Sequence, residues 1–196
     1  MLDLVKQETE RIDSRFLEPA CGNGNFLAEI LRRKLAVVKS RYAKNPADYE
    51  RYAVIAVTSI YGVDILADNV KACRRRLYKI FDREYKAICK EKVNEDTRKA
   101  VRYILRHNIL CGDALKMKTA KRKPLVFVEW LESKVAGKIA RRYFQFDHLL
   151  KANTENLQLD LFGKAGKYER DETGARVLKP IRELPPIHYR RFGDNE

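Results

Sequence analysis

Hydrophobic positions along the chain switch between two periods, and the switches mark the elements. Leu2, Leu4 and Val5 suit a short helix over residues 2–11, after which Arg15-Phe16-Leu17 runs as a strand into a turn at Glu18-Pro19. Past Gly22 and Gly24, Phe26, Leu27, Ile30, Leu31, Leu35 and Val38 recur at helical spacing. Asn45-Pro46-Ala47-Asp48 breaks that pattern, and Tyr52, Ala53, Ile55 and Ala56 predict a second helix over 49–59. Ser59 to Ile65 reads as a buried strand, with Asp68 as N-cap of the helix that follows. Ala72, Cys73, Leu77, Ile80, Phe81, Tyr85 and Ile88 form the apolar face of that helix. A helix over Glu95–Leu105 leads into a strand at Asn108–Cys111, closed by Gly112-Asp113-Ala114-Leu115, and Leu125–Trp130 is a further strand. Strands alternating with helices predict βαβ units and a mainly parallel α/β sheet with flanking helices.

Beyond about residue 150 the apolar spacing loses its period, and Pro180, Pro185 and Pro186 punctuate the end. The expected organisation is therefore one domain over 1–150 and an irregular tail over 151–196. A hairpin in that tail is predicted to pair Lys167-Tyr168-Glu169 with Arg176-Val177-Leu178 around a turn at 171–174. The 196 residues, 45% hydrophobic and 35% charged, suit a soluble globular protein able to bury a core. No apolar run approaches the roughly 20 residues that span a bilayer, and the N-terminus lacks a signal-peptide core.

Cys21, Cys73, Cys89 and Cys111 stand far apart with no C-x-x-C or Cys/His ligand spacing. They read as free thiols of a reducing cytoplasm, and no metal site is expected. Forty-one Lys and Arg against 27 Asp and Glu leave a net charge of +14, which favours a polyanionic partner. With no amphipathic anchor or lipidation motif, nucleic acid is preferred over membrane. The basic residues of the helix over 71–92, Arg74, Arg75 and Lys79 among them, and Lys121-Arg122 in the loop before Pro124 are the candidate phosphate contacts. A solvated charged face explains the same pattern.

The segment Glu18-Pro19-Ala20-Cys21-Gly22-Asn23-Gly24-Asn25-Phe26 carries the most chemistry. Glycines between a strand and a helix let backbone approach a ligand, and the helix start offers free N–H groups. The third glycine of the dinucleotide fingerprint is absent, as is the Lys-Ser/Thr of a P-loop. Asp64, followed by Ile65, and Asp113, followed by Ala114, end the next two strands. Ligands of open α/β sheets bind outside the carboxyl ends of the strands, so three acids meeting there suit a nucleoside without phosphates. Taken singly, Asp64 and Asp113 equally suit caps or turns.

The turn closely resembles the first motif of S-adenosylmethionine-dependent DNA adenine methyltransferases, including modification subunits of restriction systems, which carry variants of D-P-x-C-G-x-G-x-F. Gly62-Val63-Asp64-Ile65 resembles their second motif and Gly112-Asp113-Ala114-Leu115 their third; the likeness covers about residues 13–116. It implies a class I, Rossmann-like methyltransferase domain with S-adenosyl-L-methionine as cofactor and DNA as partner, transferring methyl to adenine N6. By the resemblance, Glu18, Pro19, Ala20, Cys21, Gly22, Gly24 and Phe26 surround the methionine portion, Asp64 and Ile65 the ribose, and Asp113 and Ala114 the adenine. The chain begins so close to the first motif that a cofactor-covering segment is expected to be missing. It also leaves little room for a separate DNA-recognition domain.

The family's N-P-P-Y tetrapeptide, whose aromatic ring stacks on the flipped base, has no counterpart after the strand at Leu125–Trp130. Glu129 as acceptor and Trp130 as stacking ring are the candidate replacements; a Trp covering a sheet edge explains the latter equally. A cofactor-binding subunit without catalysis, working with a restriction or specificity subunit, and an RNA methyltransferase stay open as alternatives. Finally, Gln158-Leu159-Asp160-Leu161-Phe162 resembles the Q-L-(S/D)-L-F peptide by which bacterial DNA-processing proteins dock on the replication sliding clamp. Gln158 supplies polar contacts and Leu159, Leu161 and Phe162 the apolar ones, unless the segment is a short packed strand.

Overall fold

The computed structural model describes residues 6–146, 168–170 and 176–194 of the chain. Its first half follows the hydrophobic pattern closely. A short helix α1 (Lys6–Thr9) precedes strand β1 (Phe16–Glu18), and helices α2 (Asn25–Tyr42) and α3 (Pro46–Thr58) lead to β2 (Ile60–Asp64). Helices α4 (Ala67–Cys89) and α5 (Glu95–Asn108) lead in turn to β3 (Ile109–Cys111). These three strands form a parallel sheet of order β1-β2-β3, with Phe16 opposite Ile60 and Asp64 opposite Cys111. The fold is mixed α/β, and each crossover carries two helices.

Local chemistry sets most helix starts. Asn45 caps α3 by accepting from Ala47 N at 3.1 Å, with Pro46 at the position where a missing N–H costs nothing. Asn94 caps α5 through Asp96 N and Thr97 N, at 2.8 and 3.3 Å. Helix α4 departs from expectation. Its cap position is Leu66, and Asp68 sits exposed in the first turn. The capping work falls to Asp64, whose Oδ1 accepts from Leu66 N at 2.8 Å and Asn69 Nδ2 at 3.0 Å. A carboxylate two residues before the cap position makes an Asx-type turn, which outcompetes a carboxylate already inside the helix.

The second half corrects the expectation of one mainly parallel sheet. Strands β4 (Val126–Glu132), β5 (Lys138–Gln145) and, after the predicted hairpin of β6 (Tyr168–Arg170) and β7 (Arg176–Leu178), β8 (Arg182–His188) are antiparallel. They form a separate sheet of order β4-β5-β8. Adjacent residues of β2 show how it is placed. Gly62 faces α2, a Cβ there lying 2.9 Å from Leu27, whereas Tyr61 points the other way and donates to Val128 O at 2.8 Å. The antiparallel sheet therefore covers the face of the parallel sheet opposite α2.

The C-terminal region also departs from an irregular tail. Strand β8 pairs with β5 as an edge strand, and its Pro185-Pro186 lies opposite the register shift between Ile139 and Arg141. Edge strands and bulges are where sheets tolerate proline. A 3-10 turn at Tyr189–Arg191 then returns the chain to the core, where Tyr189 and Phe192 are buried.

Two buried charges hold these layers. Lys34, on the inward face of α2, is fully buried and donates to the carbonyls of Arg11, Ile12 and Ser14 at 2.9, 3.0 and 2.5 Å. Glu50 of α3 is also buried; Tyr189 Oη donates to it at 2.5 Å and Arg190 Nε and Nη2 at 2.9 and 2.6 Å. Tyr85 of α4 donates to its other oxygen and itself accepts from Asn94 N at 2.9 Å. Removing one partner of a buried pair strands the other. Arg190 reaches Glu50 from a partly exposed position. Arg190→Met is therefore expected to reduce stability by about 2–3 kcal/mol in urea unfolding, toward the lower end of what buried pairs show.

Burial pushes the Lys34 ammonium down from its ordinary 10.5 to about 8, against the pull of Asp13 and Glu8. Below about pH 8 the group is charged in both folded and unfolded chains. Between about 8 and 10.5 the unfolded chain binds its proton more tightly, so this group's contribution to folded stability rises with pH. Across about pH 8 to 10, the stability of the wild type relative to Lys34→Met is expected to rise by about 2 kcal/mol. Urea titrations of both proteins at each pH check the sign; a falling difference would overturn it.

Candidate functional site

The turn after β1 is fastened to β2 before any ligand is considered. Cys21 N donates to Val63 O at 2.9 Å, Gly24 N to Cys21 O at 2.8 Å, and Gly22 N to Asp64 Oδ2 at 2.9 Å. Both glycines adopt left-handed backbone, with φ of +52° at Gly22 and +81° at Gly24, but they serve different needs. A Cβ on Gly24 would lie 2.5 Å from Cys73 Sγ, so this glycine admits α4 against the start of α2. A Cβ on Gly22 would meet nothing within 4 Å. Gly22 is the glycine whose backbone faces open space, as a ligand-approach position requires.

Around it, the predicted residues gather in part. Glu18 ends β1 half-buried, with no hydrogen-bond or ion-pair partner among the described residues, and Pro19 and Ala20 are exposed beside it. Phe26 packs against the core from the first turn of α2. The Cys21 thiol is buried, and its bond with Cys73 and its burial push it up. Asp64 ends β2 and Asp113 follows the neighbouring β3, with Gly112 N donating to Asp64 O at 2.9 Å. Asp64 accepts three donors from its own chain, from Gly22, Leu66 and Asn69, leaving lone pairs chiefly on Oδ2. Asp113 accepts from Lys116 N at 2.9 Å and pairs with its ammonium at 3.3 Å; those bonds hold its carboxyl below the ordinary value. Ala114 is partly buried on the core.

Next to these acids stand large apolar side chains in water. Ile65 is 67% exposed, Leu66 59% and Leu115 92%. Ile65 and Leu66 directly follow β2, and Leu115 lies four residues after β3. Ile65 was legible in the sequence as the residue after an acid. Leu66 and Leu115 were not, because only the fold shows that nothing covers them.

The candidate catalytic pair is placed elsewhere. Strand β4 begins beside the carboxyl end of β3, where a Cβ on Gly112 would lie 2.8 Å from Leu125, and runs toward the amino ends of the parallel strands. There Trp130 Nε1 donates to Asn108 Oδ1 at 2.8 Å, and Asn108 Nδ2 donates to Thr58 O and Ile60 O at 3.1 and 3.0 Å. The indole is buried among Tyr103, His107 and Phe192. Glu129 pairs at 2.7 Å with Arg15, ahead of β1. Glu129 and Trp130 are thus structural residues at the opposite end of the sheet from Gly22, and the base-stacking role is withdrawn.

Among the candidate phosphate contacts, Arg74 is also withdrawn. Its guanidinium donates to Ile109 O and Arg106 O, each at 3.0 Å, satisfying carbonyls at the end of α5. Arg75 and Lys79 are exposed along α4, and Lys121 and Arg122 stand exposed on a tight turn at 119–123. Gln158, Leu159, Leu161 and Phe162 lie outside the described residues. No described helix is long and apolar enough to cross a membrane.

No family model, curated protein or solved structure matches this chain. The site therefore stands on its own geometry. Gly24→Ala is expected to reduce stability by about 2–4 kcal/mol, because left-handed strain adds to a collision. Gly22→Ala, with strain alone, should lose about 1–2 kcal/mol. Equal losses in urea unfolding would show that the turn is not packed against α4 as described.

Proposed function

We propose that this chain binds S-adenosylmethionine at the Glu18–Phe26 turn and presents it to nucleic acid, as the cofactor-binding component of a DNA-modification system. The observation carrying the reading is the open space over Gly22, in a turn whose N–H is held by Asp64; Glu18 has no side-chain partner among the described residues, and exposed Ile65 and Leu66 follow Asp64 as exposed Leu115 follows Asp113. Glu18 suits the ligand's amino group, the free lone pairs of Asp64 suit ribose hydroxyls, and the aliphatic side chains suit the faces of adenine. The sheet order β1-β2-β3, with the turn, Asp64 and Asp113 at the carboxyl ends, supports a class I methyltransferase-like arrangement.

When bound, the cofactor supplies a sulfonium-activated methyl group. What this chain's residues do is hold and orient the ligand: backbone at Gly22 comes close, and the aliphatic wall keeps water from the adenine. The engagement of Glu129 by Arg15 and of Trp130 by Asn108 favours the cofactor-binding reading over methyl transfer to adenine N6 by this chain alone.

Isothermal calorimetry with S-adenosylmethionine is expected to show one site per chain, weakened at least about tenfold by Ile65→Asp, which sets a charge against the adenine. Absence of binding in the folded wild type would overturn the proposal. A tritiated methyl-transfer assay on DNA and on RNA is expected to show no incorporation by this chain alone. Incorporation would instead establish the chain as the complete enzyme.

A further inference from the structure

The cations of α4 can be sorted by what they touch. Arg74 is turned inward, Lys71 pairs with Asp68 at 3.4 Å, and Lys86 pairs with Asp82 at 2.9 Å. Asp82 also takes Arg98 of α5 at 2.8 Å, so it lies on the α5 side of the helix. Arg75, Arg76, Lys79 and Arg83 line a single open groove of about 420 Å³ with Ala72 and Ile80. Arg75 and Lys79 have no carboxylate partner among the described residues. Arg76 donates to the neutral side chain of Asn25, and Arg83 has Glu84 at 3.0 Å.

Such a row is unfavourable by itself. Arg75, Lys79 and Arg83 repeat at i, i+4 and i+8, where like charges repel and destabilise the helix. A bound polyanion turns that repulsion into attraction. Each step of four residues rises about 6 Å along the helix, close to the separation of successive phosphates on one strand. Asn25 directly follows Gly24, so the groove opens beside the proposed cofactor turn. Membrane is the poorer partner, since no described residue of α4 is an exposed large apolar side chain that could enter lipid.

We infer that this groove is a phosphodiester-backbone site: Arg75, Lys79 and Arg83 take successive phosphates of one nucleic-acid strand, and Arg76 holds the strand where it passes the cofactor turn. The inference rests on the reading of the chain as acting on nucleic acid, and it names the path of that acceptor.

The test is fluorescence anisotropy with labelled DNA and RNA, single-stranded and duplex, across a salt series. The combined variant Arg75→Ala, Lys79→Ala, Arg83→Ala is compared with Lys39→Ala, Arg41→Ala, Lys44→Ala, which removes the same charge from the exposed end of α2. Circular dichroism confirms that both fold. The groove variant is expected to lose about 10- to 100-fold in affinity and to lower the salt slope by about 2–3, while the α2 variant changes neither. Groove-dependent binding of either polymer supports the inference, and the stronger binder identifies the acceptor. A folded groove variant that keeps wild-type affinity and slope overturns it. So does groove-dependent binding to phosphatidylserine vesicles with nucleic-acid binding unaffected. Calorimetry with S-adenosylmethionine on the groove variant is expected to match wild type, so failure of the groove and failure of the cofactor reading are read separately. Wild type that binds the cofactor but no nucleic acid overturns the groove and the acceptor while leaving the cofactor site standing.

Discussion

A carboxylate buried at Glu50 is the interaction on which the assembly of this molecule depends. A charge cannot remain in the interior without partners, so Glu50 requires Arg190, Tyr189 and Tyr85 to be brought to it. Those three come from the C-terminal 3-10 turn and from α4, and Tyr85 in turn receives the N–H of Asn94 at the start of α5. One oxygen pair thus joins α3, α4, α5 and the last turn of the chain. Lys34 does the equivalent for the opposite terminus by gathering the carbonyls of residues 11, 12 and 14 under α2. Together they clamp a parallel sheet whose strands are as short as three residues.

The turn at Glu18–Phe26 is held by backbone bonds and by the Gly24 contact with α4, so its shape does not wait for a ligand. Pre-organisation of this kind lowers the ordering cost of binding. The arrangement also assigns Asp64 two duties, since the carboxylate that faces the turn is the one that starts α4. Any ligand hydroxyl must share it with Gly22, Leu66 and Asn69.

Helix α4 divides its surface accordingly. Its apolar stripe, Val70, Cys73, Leu77 and Phe81, is buried, and Arg74 beside it ties down the end of α5. Its other side carries Arg75 and Lys79, which have no carboxylate partner among the described residues, with Arg76 and Arg83 beside them. A helix that packs Cys73 against the Glu18–Phe26 turn and carries a basic row beside it connects the two proposed sites physically, through Asn25 and Arg76.

The elements of the first half were legible because each signal was local. Periodic hydrophobic spacing and the two glycines place β1 through β3 within a residue or two, and the likeness of the turn to a known motif depends on adjacent residues alone. The basic character of α4 was equally plain. Three things were decided only by tertiary structure. The direction of β4 follows from the tight loop at 112–125, and a strand's hydrophobic pattern reads the same whichever way it runs, so Glu129 and Trp130 landed at the wrong end. Arg74 and Arg75 are neighbours in sequence, but 100° of helical rotation sends one to the carbonyls of α5 and the other to solvent. The pairing of β8 with β5 joins residues 39 to 50 positions apart, which spacing cannot encode. The sequence by itself determined the strand, glycine turn and helix order and the acids at the ends of β2 and β3; only the packing decided which charged and aromatic side chains are engaged inside the fold and which stay exposed.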